Sequence, residues 1–101
     1  MTIKIKQGQA DTLIEVVTNL ASLSGYTCKL YIETIDGTVI DTITGSISTL
    51  TVTYEISATN SISYIIGEHK YETWAFDDSG HKYPLSDGKF IVTAPVQNNP
   101  S

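Results

Sequence analysis

β-Branched residues make up one third of this chain, and that feature limits its fold more than any other. Threonine, isoleucine and valine contribute 33 of the 101 residues, whereas alanine and leucine together contribute only 11. β-Branched side chains are stiff about the first side-chain torsion and pack well on a pleated surface. A chain of this length can bury one hydrophobic core without metals or disulfides. The composition therefore predicts a single all-β domain.

A two-residue alternation of apolar and polar side chains locates the strands. The segments 50–56 and 28–33 both alternate in this way, which is typical of half-buried strands. Asp36-Gly37 suits a two-residue type I′ turn, and it predicts a hairpin that pairs Thr34 with Val39. The same register places Asp41 on the inner face, where it is expected at a sheet edge. The apolar residues predicted on that inner face are Leu30, Ile32, Val39 and Ile43.

The remaining turn signals complete the prediction of a small β-sandwich. Asp77–Gly80 predicts a second hairpin, and Ser86–Gly88 predicts a turn before the last strand. Regular strands with turns between them favour an antiparallel β-sandwich of about seven strands. We expect this domain to span residues 1–96, with one short helical turn near 57–63 and a flexible tail at 97–101. The other predicted strands are 3–6, 12–18, 70–76, 81–83 and 90–96.

The charge balance excludes several classes of function. The chain has a net charge of −5 and its six cationic side chains are all lysine. The excess of acids and the absence of arginine argue against a nucleic-acid binder, which needs a cationic stripe and arginines, and an anionic membrane surface is equally unfavourable. The first residues lack the apolar core of a signal peptide, and no apolar run is long enough to span a membrane. The single cysteine, Cys28, fits synthesis in a reducing compartment.

Three groups of side chains could carry chemistry, and each has a simpler structural explanation. Asp77, Asp78 and Asp87 could contribute to a calcium site, but aspartate is also a preferred turn residue, which is the favoured interpretation. His69 and His81 could meet across the 77–80 hairpin as metal ligands or as an acid and a base, although no third ligand accompanies them.

Cys28 could be a nucleophile, but it lies on the apolar face of a strand, which favours an inert buried thiol. The sequence contains no nucleophile elbow and no phosphate-binding loop. We therefore expect no enzyme activity, no metal and no cofactor.

The aromatic segment Tyr71–Phe76 gives the best functional lead. Alternation places Tyr71 on one face of this strand, and Trp74 with Phe76 on the other. If Tyr71 points into the core, Trp74 and Phe76 form an outer contact surface, because large aromatic side chains dominate interface energies. If Trp74 fills the core instead, Tyr71 lies outside. Both possibilities are open from the sequence. Trp74 and Phe76, together with Tyr31, are the predicted partner-binding residues.

Read from end to end, the sequence resembles the short immunoglobulin-like modules of bacteriophage virion proteins. The resemblance covers nearly the whole chain, but Tyr64–Gly67 departs from it because such modules usually carry proline and alanine before this glycine. The matching segments are the opening Gln7–Thr12, the hairpin Ile35–Val39, the strand and crossover Leu50–Ala58, the segment Gly67–Gly80 and the closing strand Gly88–Val92.

Such modules occur on capsid decoration proteins, head fibres and upper baseplate proteins, and they are not enzymes. The resemblance implies an auxiliary or decoration protein on the capsid surface, made in the bacterial cytoplasm and assembled into the virion. A tail or baseplate module is the nearest alternative. The exposed aromatic residues also leave open a carbohydrate-binding or cell-surface-binding module, in which Trp74, Phe76 and Tyr31 would stack on sugar rings.

Overall fold

Two packed β-sheets and one short helix form the structure, which is a computed structural model that describes residues 2–94. One sheet has five strands in the order β1-β8-β7-β3-β4, and the other has three in the order β2-β6-β5. The predicted all-β immunoglobulin-like sandwich is confirmed. The predicted tail at 97–101 lies outside the described residues. The elements are β1 (Thr2–Lys6), β2 (Asp11–Val16), β3 (Thr27–Glu33), β4 (Val39–Thr44), β5 (Ser46–Ser48), β6 (Thr51–Ile56), α1 (Ala58–Ser61), β7 (Gly67–Phe76) and β8 (Lys82–Thr93).

The core lies between the sheets and consists of the inward rows of the alternating strands. Residues 28, 30 and 32 of β3 are fully buried, as are residues 52 and 54 of β6. Their neighbours in sequence point outward, as the two-residue period requires. The largest buried side chains are Tyr54, Tyr71 and Phe90. Burial of these inward rows supplies the main driving force for folding.

The first and last strands, β1 and β8, pair in a way that local patterns do not predict. β1 runs parallel to β8, from Thr2 opposite Lys89 to Lys6 opposite Thr93, so the sandwich is not purely antiparallel. The predicted turn at Ser86–Gly88 is wrong, because β8 continues through this segment. The pairing register between β7 and β8 shifts between Thr73 and Trp74, so the strand continues past this point with a local bulge. The last predicted strand therefore merges with the strand before it, and its final residues, 95 and 96, lie outside the described part.

The first hairpin forms where it was expected, but its turn is different. Thr34 N–H donates to the Thr38 carbonyl, and Gly37 N–H donates to the Thr34 carbonyl. This arrangement closes a three-residue loop, with Gly37 at a φ of +97°, instead of the predicted two-residue type I′ turn. The pattern fits a turn followed by a glycine bulge. The second hairpin repeats the pattern, with Asp77 pairing with His81.

The extra loop residue reverses the direction of Val39. Leu30 lies opposite Ile43 and Ile32 opposite Asp41, as predicted, but Glu33 lies opposite Val39 because a bulge follows Ile32. Val39 is therefore 47% exposed, and the prediction that it lies on the inner face is wrong. A one-residue insertion moves a side chain to the other face of a sheet.

Asp41 lies on the edge strand β4, where the sequence placed it. Its carboxylate accepts hydrogen bonds from the Tyr64 hydroxyl and from Asn60 Nδ2. The predicted helical turn is confirmed as α1, whose N-cap is Ser57. Ser57 Oγ accepts from the Asn60 backbone N–H at 3.1 Å. The crossover between the sheets is thus capped locally and linked to the edge strand.

Replacing Gly37 tests the turn. A β-branched residue at a positive φ is strained, so Gly37→Val should lower the free energy of unfolding by about 1–2 kcal/mol. The control is Thr38→Val, which adds no residue at a positive φ. Urea denaturation of both variants measures the difference, and equal stability would place the turn elsewhere.

Gly45 tests the packing between the sheets. A Cβ atom at this position would lie 2.4 Å from Val52 Cγ1 and 2.8 Å from Tyr54 Cε1. Gly45→Ala should therefore destabilise the fold by about 1–3 kcal/mol, because the core must shift to admit the methyl group. The exposed neighbour provides the control, Ser46→Ala, which should change the midpoint of urea unfolding very little.

Candidate functional site

Strand β7 lies in the middle of the five-stranded sheet and determines which aromatic residues face outward. Tyr71, Thr73 and Ala75 are buried under the three-stranded sheet, with exposures of 1%, 0% and 0%. Trp74 and Phe76 lie on the opposite face and are half-buried. Of the two arrangements that the sequence left open, the structure has the one with Tyr71 inside.

Trp74 stands between two shallow depressions on this outer face. One depression, of about 330 Å³, lies toward Pro84 and Ser86 on β8. The other, of about 260 Å³, lies toward Tyr31 and Val39. The indole Nε1–H donates to Glu72 Oε1 at 2.9 Å. Because its only polar group is satisfied and the side chain is held, the indole is oriented before any partner arrives.

The other two predicted residues lie on the same face. Tyr31 on β3 is opposite Glu72 on β7, and both line the depression of about 260 Å³, as does Phe76. Lys29 Nζ lies 5.8 Å from the centroid of the Phe76 ring, within range of a cation–π interaction. The structure therefore brings Tyr31, Trp74 and Phe76 together, and we call their surroundings the aromatic face. Their role in binding stays a prediction.

Two carboxylates give this face an uneven charge. Glu33 lies at the wall of the depression of about 260 Å³, near Glu72. Burial raises the pKa of Glu33, the negative charge of Glu72 raises it further, and Lys70 lowers it. Lys70 Nζ is 3.8 Å from Glu33 Oε1. The contact with Lys70 therefore only partly offsets the burial of Glu33 and the nearby charge of Glu72.

All six lysines of the chain project from the outer surface of the five-stranded sheet. Lys29 lies over Phe76, Lys70 bonds to Glu33, and Lys89 Nζ is 3.7 Å from Glu68 Oε2. The strand register places the other three on the same surface, because each lies opposite an outward residue. These three are Lys4, Lys6 and Lys82.

The eleven carboxylates are distributed differently from the lysines. The strand alternation and register place four of them on the surface that carries the lysines. The remaining seven lie on the three-stranded sheet, on the loops or on inward-facing positions. The four that share the lysine surface are Glu33, Glu68, Glu72 and Asp87. The surface of the five-stranded sheet is therefore cationic on balance, although the chain as a whole is acidic.

Asp77 has a structural role in the second hairpin. Its Oδ1 accepts from the backbone N–H groups of Ser79 at 3.0 Å and His81 at 2.9 Å. Burial alone would raise its pKa, but the hydrogen bonds from His81, Tyr83 and Ser79 lower it below the usual value. This carboxylate closes a turn, as the favoured interpretation of the sequence predicted. No group of three or more metal-ligating side chains occurs within residues 2–94.

The two histidines lie at opposite ends of β7 and do not meet. His69 is buried, with Nε2 at 2.7 Å from the Ile65 carbonyl. His81 is exposed, with Nδ1 at 3.2 Å from Asp77 Oδ2. The possibility of a paired histidine site is therefore wrong. Seven residues of β7, from Lys70 to Phe76, and the turn at 77–80 separate them.

A polar network between the sheets was not foreseen from the sequence. Glu15 Oε1 accepts from the Tyr54 hydroxyl at 3.3 Å, and Oε2 accepts from Thr73 Oγ1 at 3.2 Å. Burial, followed by the charge of Glu15, raises the pKa of Tyr54 and of the Cys28 thiol. Cys28 is 0% exposed. Its thiolate is disfavoured, which agrees with the prediction of an inert buried cysteine.

Sequence reasoning missed Val39 and Lys29 as neighbours of the aromatic residues. Val39 could not be placed because a bulge decides its direction. The alternation that placed Tyr31 outward also places Lys29 outward, so the signal for this lysine was present. Within the described residues, no helix has the length and apolar character needed to cross a bilayer.

Comparison with known proteins supports the fold alone. No protein-family model and no curated protein matches the sequence. The structure is similar to the fibronectin(III)-like modules of CbhA from Clostridium thermocellum, with a TM-score of 0.57 and 15% identity over 94% of this chain and 90% of that one. It is also similar to part of a protein from Bacteroides vulgatus described as "a putative glycoside hydrolase", with a TM-score of 0.60 and 15% identity over 96% of this chain. The similar region spans only 17% of the Bacteroides protein. The chain therefore has the fold of an immunoglobulin-like or fibronectin III-like module.

Glu33 gives a pH-dependent test of the site. A carboxyl whose pKa is raised in the fold stabilises it less as the pH rises from the unfolded value, about 4.3 for glutamate, through the folded value. Glu33→Gln should therefore raise the melting temperature at neutral pH, and the gain should vanish below the unfolded value. Glu68→Gln is the matched control, since Glu68 also contacts a lysine but its side chain is 52% exposed. A neutral-pH loss on Glu33→Gln would contradict the assigned environment.

Proposed function

We propose that this chain is a non-catalytic virion module that decorates a bacteriophage capsid and docks through the aromatic face. The observation that carries the proposal is the position of Trp74, which is oriented by Glu72 between two depressions on an outer sheet surface. Tryptophan is the side chain most typical of interface hot spots. The resemblance of nearly the whole sequence to virion modules is the reason for choosing a capsid as the partner.

The distribution of charge supports one direction of docking. The lysine-bearing surface would contact an acidic shell surface, and the three-stranded sheet, which carries no lysine, would face solvent. The net charge of −5 opposes non-specific association of the modules before they dock. Docking on the head would make this an auxiliary capsid protein, whereas the same contact on a tail or baseplate would define the nearest alternative.

A carbohydrate-binding module is the second candidate. The observation that favours it is the combination of Tyr31 and Trp74 with the carboxylates of Glu33 and Glu72 around one depression. Fibronectin(III)-like modules and part of the Bacteroides protein described as "a putative glycoside hydrolase" share the fold, although this similarity at 15% identity concerns the fold alone. Lys29 lies over the ring of Phe76, which leaves that ring less available for stacking on a sugar. We therefore rank protein docking first.

Removal of the indole tests the docking site. Trp74→Ala should weaken binding to purified capsid shells of the encoding phage by about 2 kcal/mol, or roughly thirtyfold in Kd. The domain should stay folded, because Trp74 is half-buried, whereas Tyr71→Ala should lose about 3–5 kcal/mol of stability. Cosedimentation measures the binding, and thermal unfolding measures the stability. Ile65→Ala is the control, since Ile65 is 62% exposed and lies away from the aromatic face.

The outcomes separate the candidate functions. Binding of the wild-type module to heads, weakened by Trp74→Ala and by rising salt, supports the capsid role. Binding to tails alone supports the baseplate alternative. No binding to any virion part, together with Trp74-dependent binding on a glycan array, would replace the proposal with a carbohydrate-binding module.

A further inference from the structure

Among the sheet edges of residues 2–94, strand β2 has the weakest protection against pairing, because its two acidic side chains, Asp11 and Glu15, lie on the inward row and its outward row carries no charge. Proteins usually block such edges with charged residues, bulges, prolines or very short strands. The edge strand β1 carries Lys4 and Lys6, β4 has a bulge and an inward aspartate, and β5 has only three residues. β2 pairs with β6 over six residues with no register shift. Its outward residues include Ile14 and Val16, which are 63% and 66% exposed.

The backbone of β2 presents unpaired groups at this edge. Val17 N–H donates to the Leu50 carbonyl at 2.8 Å, so the odd-numbered residues of this strand point their backbone groups toward β6. Because the direction alternates along a strand, residues 12, 14 and 16 point theirs away from β6. The described chain supplies no strand on that side. Only the Thr12 N–H has a local partner, Asp11 Oδ1 at 2.9 Å.

We propose that β2 pairs with β2 of a second copy of this chain, antiparallel and centred on Ile14. In this register Ile14 lies opposite its own equivalent and Thr12 lies opposite Val16. All three residues present their outward backbone groups to one another, so the ladder closes with a two-fold axis. The two three-stranded sheets become one six-stranded sheet, with the exposed Ile14 and Val16 side chains packed across the junction.

Charge selects this register over its neighbours. Directly opposed residues must point to the same face of the sheet. The alternative registers are therefore those in which one strand is shifted by two residues relative to the other. Centring on Leu13 would place Asp11 opposite Glu15, and centring on Glu15 would place two glutamates together. Centring on Ile14 places Glu15 opposite Leu13 and avoids every direct pairing of acids. Thr12 N–H would exchange its bond to Asp11 for one to Val16 of the second copy.

The pairing goes beyond the proposed function and uses a different surface. The aromatic face lies on the five-stranded sheet, whereas β2 is an edge of the three-stranded sheet, so the two contacts can form independently. Rising salt should weaken docking of the lysine-bearing surface. It should strengthen pairing at β2, because Asp11, Glu15 and Glu55 give both copies the same charge there.

Sedimentation velocity at increasing protein concentration tests the pairing. The wild-type chain should form dimers and nothing larger, and more dimer should form at higher salt. Ile14→Lys should abolish the dimer, whereas the matched control Ile65→Lys should leave it unchanged, since Ile65 is 62% exposed and lies off the edge. A wild-type monomer at all concentrations, larger assemblies, or equal behaviour of the two lysine variants would overturn the proposal.

Disulfide trapping tests the register independently of dimer strength. In the proposed pairing the two Ile14 Cα atoms face each other at about 5.5 Å, within reach of a disulfide. Mild oxidation should link Ile14→Cys to itself, and Thr12→Cys to Val16→Cys in a mixture. Thr12→Cys alone should stay unlinked, and buried Cys28 should not interfere. Efficient self-linking of Thr12→Cys would contradict this register. Trp74→Ala should not affect linking, so failure of capsid docking and failure of pairing are distinguishable.

Discussion

The inward row of β7 is the constraint on which the rest of the structure depends. Tyr71, Thr73 and Ala75 fill the space between the sheets, and Thr73 also bonds to Glu15 of the opposite sheet. Burial of this row fixes the strand against rotation. Because alternate residues must then point outward, Trp74 reaches the surface as a consequence of how the core packs. The candidate site is therefore built on a rigid central strand, which favours precise contacts.

The same alternation separates the charges of the chain. Lysines occupy outward positions on the five-stranded sheet, and most carboxylates lie elsewhere. Such a separation has little effect on fold stability, because exposed ion pairs contribute little. Its effect is on encounter with a partner, since a cationic surface on an acidic module orients the approach. Charge and aromatic surface thus point to the same side of the sandwich, while the open edge at β2 belongs to the other sheet.

Local patterns in the sequence predicted features that local chemistry decides. Asp36-Gly37 identified a hairpin because glycine tolerates positive φ, and Ser57 identified the short helix because its hydroxyl caps it. Alternation placed Trp74 and Tyr71 on opposite faces, but only the packing of two sheets could decide which face is buried. Val39 was misplaced because one additional loop residue moves it to the other face.

Features that depend on contacts distant in sequence could not be predicted. Ser86–Gly88 has the composition of a turn, yet pairing with β7 holds it in an extended strand. Parallel pairing of β1 with β8 joins the first and last strands, which are far apart in sequence, and no local pattern predicts it. The hydrogen bond between Glu15 and Thr73 could not be predicted either, because the two residues lie on different sheets.

The central claim is that Trp74 anchors docking, and fluorescence tests it most directly. Trp74 is the single tryptophan of the chain, so its emission reports on the proposed contact itself. In the free module, acrylamide should quench the indole readily, whereas addition of capsid shells should shift its emission to shorter wavelength and protect it from the quencher. An indole that is sealed from acrylamide in the free module, or one that stays equally accessible on shells that have bound the module, would contradict the account.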